Sequence, residues 1–218
     1  MIRGCIFDLD GVIVDTAKYH YLAWAQIANE LGFEFTTADN EALKGVGRME
    51  SLGIFVSVGG MKDRFSEKEK LVLADTKNNK YVAMVSAMNA NEIEDGVFDF
   101  ISELRSAEIK VALGSSSKNA ALVLGRLNIT NLFDAIVDGK MISRSKPDPQ
   151  IFMMGADMIR CAYEDCVVFE DAESGAEAAH KAGMFCVGVG NTKLHADCMI
   201  KDFKKFTLDN LIHLYRKK

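Results

Sequence analysis

The chain has 218 residues and 49% of them are apolar, which is enough to bury the core of one large domain or of a domain with a smaller companion. The formal net charge is −5 and the lysines and arginines are scattered, which argues against nucleic acid as the main partner. No stretch approaches about 18 continuous apolar residues, and the N-terminus lacks the apolar region of a secretory signal. We therefore expect neither secretion nor a membrane partner.

The cysteines indicate a reducing compartment. They are widely spaced, form no CxxC pair, and several lie in apolar runs. We expect them to be buried, reduced thiols in a cytoplasmic protein. The five positions are Cys5, Cys161, Cys166, Cys186 and Cys198.

Short apolar runs alternate with helical patterns along most of the chain. The first run, residues 2–7, directly precedes an acidic turn that contains glycine. Later runs cover residues 109–113, 135–137, 166–169 and 185–189, and helical patterns between them cover residues 96–106, 119–127, 150–158 and 174–182. This alternation predicts an α/β fold, a doubly wound, Rossmann-like parallel sheet with helices on both faces.

The segment from residue 15 to about residue 91 shows no convincing strand. We predict a helix over residues 16–31, with Asp15 as its N-cap and Gly32 closing it. Further helices are predicted around residues 39–43, 49–56 and 66–90. An all-helical block after the first strand predicts a cap, residues 15–91, above a core made of residues 1–14 and 92–218.

Polar side chains follow the ends of four predicted strands. Ligands of an open parallel sheet bind outside the carboxyl ends of its strands, so we expect these side chains to share one cleft. In chain order they are Asp8 and Asp10, then Ser115, Ser116 and Ser117, then Lys146, and finally Glu170 and Asp171.

This set of residues suits phosphoryl transfer. Four carboxylates in one cleft repel each other unless a cation is present, and oxygen ligands suit Mg²⁺. A carboxylate can attack phosphorus to form an aspartyl-phosphate, and Asp10 lies close enough in sequence to Asp8 to act as general acid and base. The sequence therefore predicts a magnesium-dependent enzyme with Asp8 as its nucleophile.

Each element also has a purely structural interpretation. Two acids after a strand often form a turn or an N-cap, a serine cluster often caps a helix, and a Lys-Pro pair often lies in an exposed turn. The joint occurrence of all of them after successive strands favours the catalytic interpretation.

Four motifs carry a resemblance that covers the whole chain. FDLDGVIVDT, VALGSSSKN, SKPDPQIF and VVFEDAESG resemble, in this order, the four motifs of the haloacid dehalogenase superfamily of phosphotransferases. The resemblance implies that Asp8 is the nucleophile and a Mg²⁺ ligand, and that Asp10 is the acid/base and ligates through its carbonyl. It further implies Asp171 and Glu170 in the metal site, and Ser115 and Lys146 around the transferring phosphate.

The predicted cap resembles the sugar-phosphate mutases of this superfamily. The similar segments are DTAKYHYLAW, LKGVGRMESL and TKNNKYV, together with GSSSKN in the core. Arg48 would grip the distal phosphate, because a forked guanidinium matches a phosphate that is held and not transferred. The other implied substrate residues are Thr16, His20, Trp24, Gly45, Val46, Gly47, Lys77, Ser116, Ser117, Lys118 and Asn119.

These cap residues also fit structural roles. His20 and Trp24 are four residues apart on one helix face, a spacing that also suits core packing. Arg48 and Lys77 also fit surface charges. Several positions depart from the expected pattern and bear on substrate choice: Gly47 and Met49 replace a serine and an acid, Gln150 replaces an acid, Ala172 replaces a frequent serine, and residues 53–60 look unlike the expected cap.

Three functions remain open at this point. The first is a mutase that interconverts β-D-glucose 1-phosphate and glucose 6-phosphate through phospho-Asp8 and a bisphosphate intermediate. The second is a magnesium-dependent phosphatase of small sugar phosphates with the same nucleophile. The third, a non-catalytic phosphosugar sensor, is disfavoured because both Asp8 and Asp10 are present. In each case we expect a monomer whose partner is a small phosphorylated sugar.

Overall fold

A computed structural model describes residues 1–43, 46–190 and 194–217. Its centre is a parallel sheet of six strands in the order β3-β2-β1-β4-β5-β6. The strands are β1 Gly4–Phe7, β2 Lys110–Gly114, β3 Ala135–Val137, β4 Cys166–Glu170, β5 Phe185–Val189 and β6 Cys198–Ile200. The order reverses at β1, so the carboxyl end of β1 is where a ligand is expected.

Helices cover both faces of the sheet because side chains of each strand alternate between them. Phe7 packs in a cluster with α5 and α6 on one face, whereas its neighbour Ile6 packs with α7 and α8 on the other. The core helices are α5 Val97–Ser106, α6 Ala120–Leu127, α7 Gln150–Ile159, α8 Glu173–Lys181 and α9 Leu208–Tyr215. The predicted doubly wound α/β fold is confirmed.

Between β1 and α5 the regular structure is helical. Among the described residues of this region the α-helices are α1 Ala17–Leu31, α2 Thr37–Glu41, α3 Arg48–Val58 and α4 Glu67–Val85. They enclose an apolar cluster of their own, in which Trp24 stacks on Phe55 with ring centroids 4.3 Å apart. The chain enters this segment near Val14 and leaves it near Ile93, and these two residues form an antiparallel bridge. That the segment acts as a separate cap remains a prediction.

The structure differs from the sequence-based elements in four places. Thr16, and not Asp15, is the N-cap residue of α1, and its hydroxyl makes no capping bond and donates to Asp10. The Asp15 carboxylate still accepts from the backbone N–H of Lys18 in the first turn, at 3.4 Å. Helix α4 ends at Val85, five residues before the predicted end. Strand β6 and helix α9 were not predicted. A half-buried three-residue edge strand carries little periodic signal, whereas α9 has a signal that was overlooked, the capping residue Thr207 before an amphipathic segment.

Two predictions from composition can be compared with the structure. Within the residues that the structure describes, no helix is both long and apolar enough to cross a membrane. The five cysteines are free thiols; Cys5, Cys166 and Cys186 are buried, whereas Cys161 and Cys198 are only half-buried.

Candidate active site

The end of β1 presents two carboxylates to a cleft. Asp8 is buried, and its Oδ2 accepts a hydrogen bond of 2.9 Å from the backbone N–H of Asp10. Gly11 follows with a φ of 80°, and a Cβ at this position would overlap the Asp171 carboxylate. Glycine is therefore required here both for the left-handed turn and for the close approach of Asp171.

Lys146, from the third motif, contacts acidic residues of the first and fourth motifs. Its ammonium is fully buried, lies 2.5 Å from Asp8 Oδ1, and donates a second hydrogen bond to Glu170 Oε1. Burial opposes the charge on Lys146, but Asp8 and Glu170 outweigh that effect and raise its pKa. The lysine is thus a fixed cation between two carboxylates.

Three carboxylates converge closely enough to share one cation. Asp8, Glu170 and Asp171 each offer an oxygen within 4.8 Å of the others. Gly175 on α8 makes room for this cluster, because a Cβ there would overlap the Glu170 carboxylate. All donors are oxygens, and this donor set fits a hard divalent cation.

The carboxylates of the cluster carry more negative charge than the single Lys146 ammonium can neutralise. Burial raises the pKa of Asp8 well above its usual range; Lys146 opposes this effect, and Glu170, Asp10 and Asp171 add to it. Burial likewise raises the pKa of Asp10 to about 6, against the opposing effects of Lys146 and Lys77. A bound cation would relieve this repulsion.

The serine loop after β2 is ordered by its own hydroxyls. Ser115 is fully buried, and its Oγ accepts from the backbone N–H of Ser117 at 3.1 Å. Ser117 Oγ in turn accepts from the backbone N–H of Asn119 at 3.2 Å. The successive turns direct the loop from the sheet edge towards α6.

On the helical side, two basic groups meet in the cavity. Lys77 Nζ lies 2.6 Å from His20 Nδ1 and 4.9 Å from the centre of the Trp24 ring. Burial lowers the pKa of Lys77 to about 7, with Asp10 opposing and Arg48 adding to the shift. Burial, Lys77 and Arg48 also lower the pKa of His20. The imidazole is therefore neutral at physiological pH, and its Nδ1 faces the Lys77 amine.

Arg48 lies at the first position of α3 and faces α4 and the core. Its guanidinium contacts Asp75 Oδ1 at 3.2 Å and Asn78 Oδ1 at 2.8 Å. The same Asn78 oxygen accepts from Asn119 Nδ2 at 2.9 Å. One amide of α4 therefore joins the predicted clamp Arg48 to the core residue Asn119.

Most of the predicted site residues line one cavity between the helical segment and the sheet edge. The predicted residues on its wall are Asp8, Asp10, His20, Trp24, Val46, Arg48, Lys77, Ser116, Ser117, Lys118, Asn119 and Asp171. Four others, Thr16, Ser115, Lys146 and Glu170, lie behind this wall and contact or support it. Gly47 faces a neighbouring cleft, near Ser145, and Gly45 lies outside the described residues.

Sequence reasoning missed several residues of the same cavity. Asn78 follows Lys77 directly and was not singled out, and neither were Ser51 and Asn40. The buried Oδ1 of Asn40 has no hydrogen-bond partner among the described residues. Asn78 and Ser51 lie within TKNNKYV and LKGVGRMESL, two segments that carry the resemblance, but nothing in these segments marks them out from their neighbours. Helices α2, α3 and α4 bring the three residues to the cavity through tertiary packing.

The fold and the site define a class of protein. A model of the haloacid dehalogenase-like hydrolase family matches residues 2–183, which is most of the chain. The chain belongs to this family, and the resemblance stated from its four motifs is confirmed.

Individual relatives cover nearly the whole chain. It is 41% identical over 214 residues to the β-phosphoglucomutase of Bacillus subtilis, covering 97% of this chain and 94% of that protein. A phosphorylated carbohydrates phosphatase of Thermotoga maritima is 32% identical, with 84% and 82% covered. The crystal structure of a β-phosphoglucomutase from Clostridium difficile matches with a TM-score of 0.95 and 40% identity, over 100% of this chain and 98% of that chain.

Proposed function

We propose that this protein is a β-phosphoglucomutase, which interconverts β-D-glucose 1-phosphate and glucose 6-phosphate through an aspartyl-phosphate. The observation that carries the proposal is that one cavity is lined both by the buried carboxylate of Asp8 and, separately, by Arg48 and Asn119, which meet on Asn78. We assign Asp8 as the nucleophile and Arg48 with Asn119 as the clamp for the second phosphate. A mutase needs both, because each end of a sugar bisphosphate must be held while the other end reacts. Identity of 41% to a β-phosphoglucomutase supports the same conclusion.

In the first half of the reaction phospho-Asp8 gives its phosphoryl group to the C6 hydroxyl of β-glucose 1-phosphate: the bond from phosphorus to the sugar oxygen forms while the bond from phosphorus to the Asp8 carboxylate breaks. The resulting bisphosphate reorients, and in the second half a carboxylate oxygen of Asp8 bonds to the other phosphorus while its bond to the C1 oxygen breaks, which releases glucose 6-phosphate. Lys146, within 2.5 Å of Asp8, stabilises negative charge on the transferring group. Ser115 and the serine loop hold that group at the sheet edge.

Asp10 is the proposed proton carrier. It gives a proton to the departing sugar oxygen and takes one from the attacking sugar hydroxyl. Thr16 donates a hydrogen bond to its carboxylate and so fixes its orientation. A pKa of about 6 suits a group that must both donate and accept near neutrality.

Mg²⁺ is the proposed cofactor, held by Asp8, Glu170 and Asp171 and by the carbonyl of Asp10. Their convergence within 4.8 Å for the three side chains fits a hard cation with oxygen ligands. When bound, the ion would offset the charge of the carboxylates and of the phosphoryl group. The protein residues still provide the nucleophile, the proton carrier and the distal clamp.

Helices α1–α4 are proposed to act as a cap over the sheet edge, hinged near Thr16 and Asn91. Closure would exclude water from phospho-Asp8 until a sugar is bound. His20, Lys77 and Arg48 lie on these helices, so closure would also bring their basic groups to the substrate.

A phosphatase of small sugar phosphates is the second candidate. It shares Asp8, Asp10, Lys146 and the metal site, with water in place of the sugar hydroxyl. Similarity to the phosphatase from Thermotoga maritima supports it. The two candidates differ in what receives the phosphoryl group, and the Arg48 clamp favours the mutase.

Product analysis with separated anomers tests the proposal. The protein would be given α- or β-glucose 1-phosphate with Mg²⁺ and a trace of glucose 1,6-bisphosphate, and glucose 6-phosphate and free phosphate would be measured. We expect glucose 6-phosphate from the β anomer only. Release of phosphate alone, from either anomer, would establish the phosphatase instead.

A further inference from the structure

The loop that carries Lys146 contains both exposed residues and this buried lysine. Lys146 is fully buried, whereas Ser143 and Arg144, three and two residues earlier, are exposed. The loop between β3 and α7 contains neither helix nor strand. Some other contact must therefore fix its path, because the Lys146 ammonium has to reach Asp8 within hydrogen-bond distance.

One side-chain oxygen provides that contact. Gln150 Oε1 accepts three hydrogen bonds, from Ser143 N at 3.0 Å, Ser143 Oγ at 3.2 Å and Arg144 N at 2.9 Å. Gln150 is the first residue of α7, and the ring of Phe152 on the same helix lies 4.8 Å from the Lys146 ammonium. Helix α7 thus fixes the loop on one side of Lys146 and supports its ammonium on the other.

The chemistry of the acceptor explains why glutamine is tolerated where the family pattern led us to expect an acid. All three bonds are donated to the side chain, so only an oxygen in this place is required. The loop already contains one carboxylate, Asp148, which pairs with Arg144 at 3.2 Å and accepts from Gln150 N at 3.0 Å. A neutral amide keeps the acceptor without placing a second negative charge beside Asp148.

We propose that Gln150 is a positioning residue for Lys146, acting through the segment from Ser143 to Lys146. The proposal rests on the proposed function, because it assumes that Lys146 stabilises the transferring phosphoryl group. Loss of the acceptor lets this segment move, and the Lys146 ammonium then occupies its place beside Asp8 and Glu170 for less of the time. Misplacement of a catalytic group by about 1 Å can cost up to about 100-fold in rate.

Loss of the Gln150 acceptor should lower the rate of phosphoryl transfer and leave the stability of the fold nearly unchanged. The three donors belong to exposed residues, so water replaces the lost acceptor and the free energy of unfolding changes little. The hydrogen bonds of Arg48, the proposed distal-phosphate residue, go to Asp75 and Asn78 on α4 and involve none of these groups. We therefore expect a lower kcat with a nearly unchanged KM.

Two substitutions of Gln150 by side chains of similar size distinguish the role of its acceptor oxygen from that of its packing. Gln150→Met keeps the length of the side chain and removes the strong acceptor, whereas Gln150→Glu keeps an acceptor oxygen. Each would be mixed with Mg²⁺ and acetyl phosphate, and the rate of phospho-Asp8 formation measured by mass spectrometry. In this step the phosphorus-oxygen bond to acetate breaks, a bond to the Asp8 carboxylate forms, and acetate leaves. Thermal unfolding and amide exchange of residues 143–146 would be measured in parallel.

We expect Gln150→Met to form phospho-Asp8 roughly tenfold or more slowly than the natural protein, with faster amide exchange in residues 143–146 and an unfolding temperature within a few degrees. Gln150→Glu should restore most of the rate and the protection. A wild-type rate in Gln150→Met, or a Gln150→Glu variant as slow as Gln150→Met, overturns the proposal. A natural protein that forms no phospho-Asp8 overturns the proposed function and with it the role of Lys146.

Discussion

The two sides of the cavity are lined by groups of opposite type, carboxylates on the sheet side and basic groups on the helical side. On the sheet side, Lys146 pairs with Asp8 and Glu170, in a cluster that also includes Asp171. On the helical side, Arg48, Lys77 and His20 gather, and burial lowers the pKa of the last two. A sheet side that attracts cations and a helical side that attracts anions together suit a phosphorylated ligand bound with a metal ion.

The largest effect is expected from the sheet side. Asp8→Asn removes the nucleophile, so phosphoryl transfer should fall to background and no phosphoryl group should appear on residue 8 by mass spectrometry. The same change removes one of several mutually repelling buried carboxylates. In metal-free buffer the unfolding temperature should therefore not decrease.

Asp63→Asn is a suitable control for this prediction, because Asp63 is an exposed acid in a turn between α3 and α4. It should leave both activity and stability unchanged. Retained turnover in Asp8→Asn would show that another residue accepts the phosphoryl group.

The second prediction concerns the Mg²⁺ ion proposed to bind among the carboxylates of the sheet side. Mg²⁺ should raise the unfolding temperature of the natural protein, because a ligand that binds only the folded state stabilises it. Asp171→Asn should abolish most of this rise and most of the activity, whereas Asp63→Asn should retain both. An equal Mg²⁺-induced rise in Asp171→Asn would place the ion elsewhere.

The third prediction concerns the helical side. Arg48→Ala would remove the proposed charge-assisted hydrogen bond to the distal phosphate, worth about 1.5–3 kcal/mol, so kcat/KM for the mutase reaction should fall roughly 10- to 100-fold. Hydrolysis of a small phosphate ester without a second phosphate should be spared. Arg64→Ala, at an exposed arginine of the same helical segment, is the control. Equal loss of both activities in Arg48→Ala would indicate a structural role.

The fourth prediction uses the pH dependence of stability. In the folded protein burial lowers the pKa of Lys77 from 10.5 to about 7. Between these values the unfolded chain binds more protons, so the contribution of Lys77 to stability is least favourable below pH 7 and improves as the pH rises towards 10.5. Lys77→Met should therefore stabilise the ligand-free protein at pH 7, by an amount on the order of a few kcal/mol or less.

The gain in the free energy of unfolding from Lys77→Met should shrink as the pH is raised to 10, as measured by denaturant unfolding. Lys68→Met, at an exposed lysine of the same helix, should show no such trend. A gain in Lys77→Met that stays constant with pH would contradict a buried lysine with a lowered pKa.

The sheet side was predictable from sequence and the helical side only in part. Asp8 directly follows β1 and Glu170 ends the neighbouring strand β4, so their meeting follows from the parallel topology. Lys146 lies in the loop after β3 and reaches them only through the path of that loop. Asn78 has no such marker. Its contact with Arg48 and Asn119 depends on how α4 packs against α3 and the core, which local periodicity does not encode.

Local signals also failed where tertiary contacts compete with them. The hydroxyl of Thr16 stands at the N-cap of α1 but donates to Asp10 instead of capping the helix. The departure at Gln150 looked like a change in substrate choice, yet in the structure its oxygen holds the loop before Lys146.

The fate of the phosphoryl group on Asp8 tests the account most directly. The enzyme would be labelled with radioactive phosphate on Asp8 and mixed, in a single turnover, with β-glucose 1-phosphate or with buffer alone. We predict that the label passes into glucose 1,6-bisphosphate much faster than it is released as phosphate, and that hydrolysis without sugar is slow. Label that appears only as free phosphate, at the same rate with and without sugar, would contradict the account.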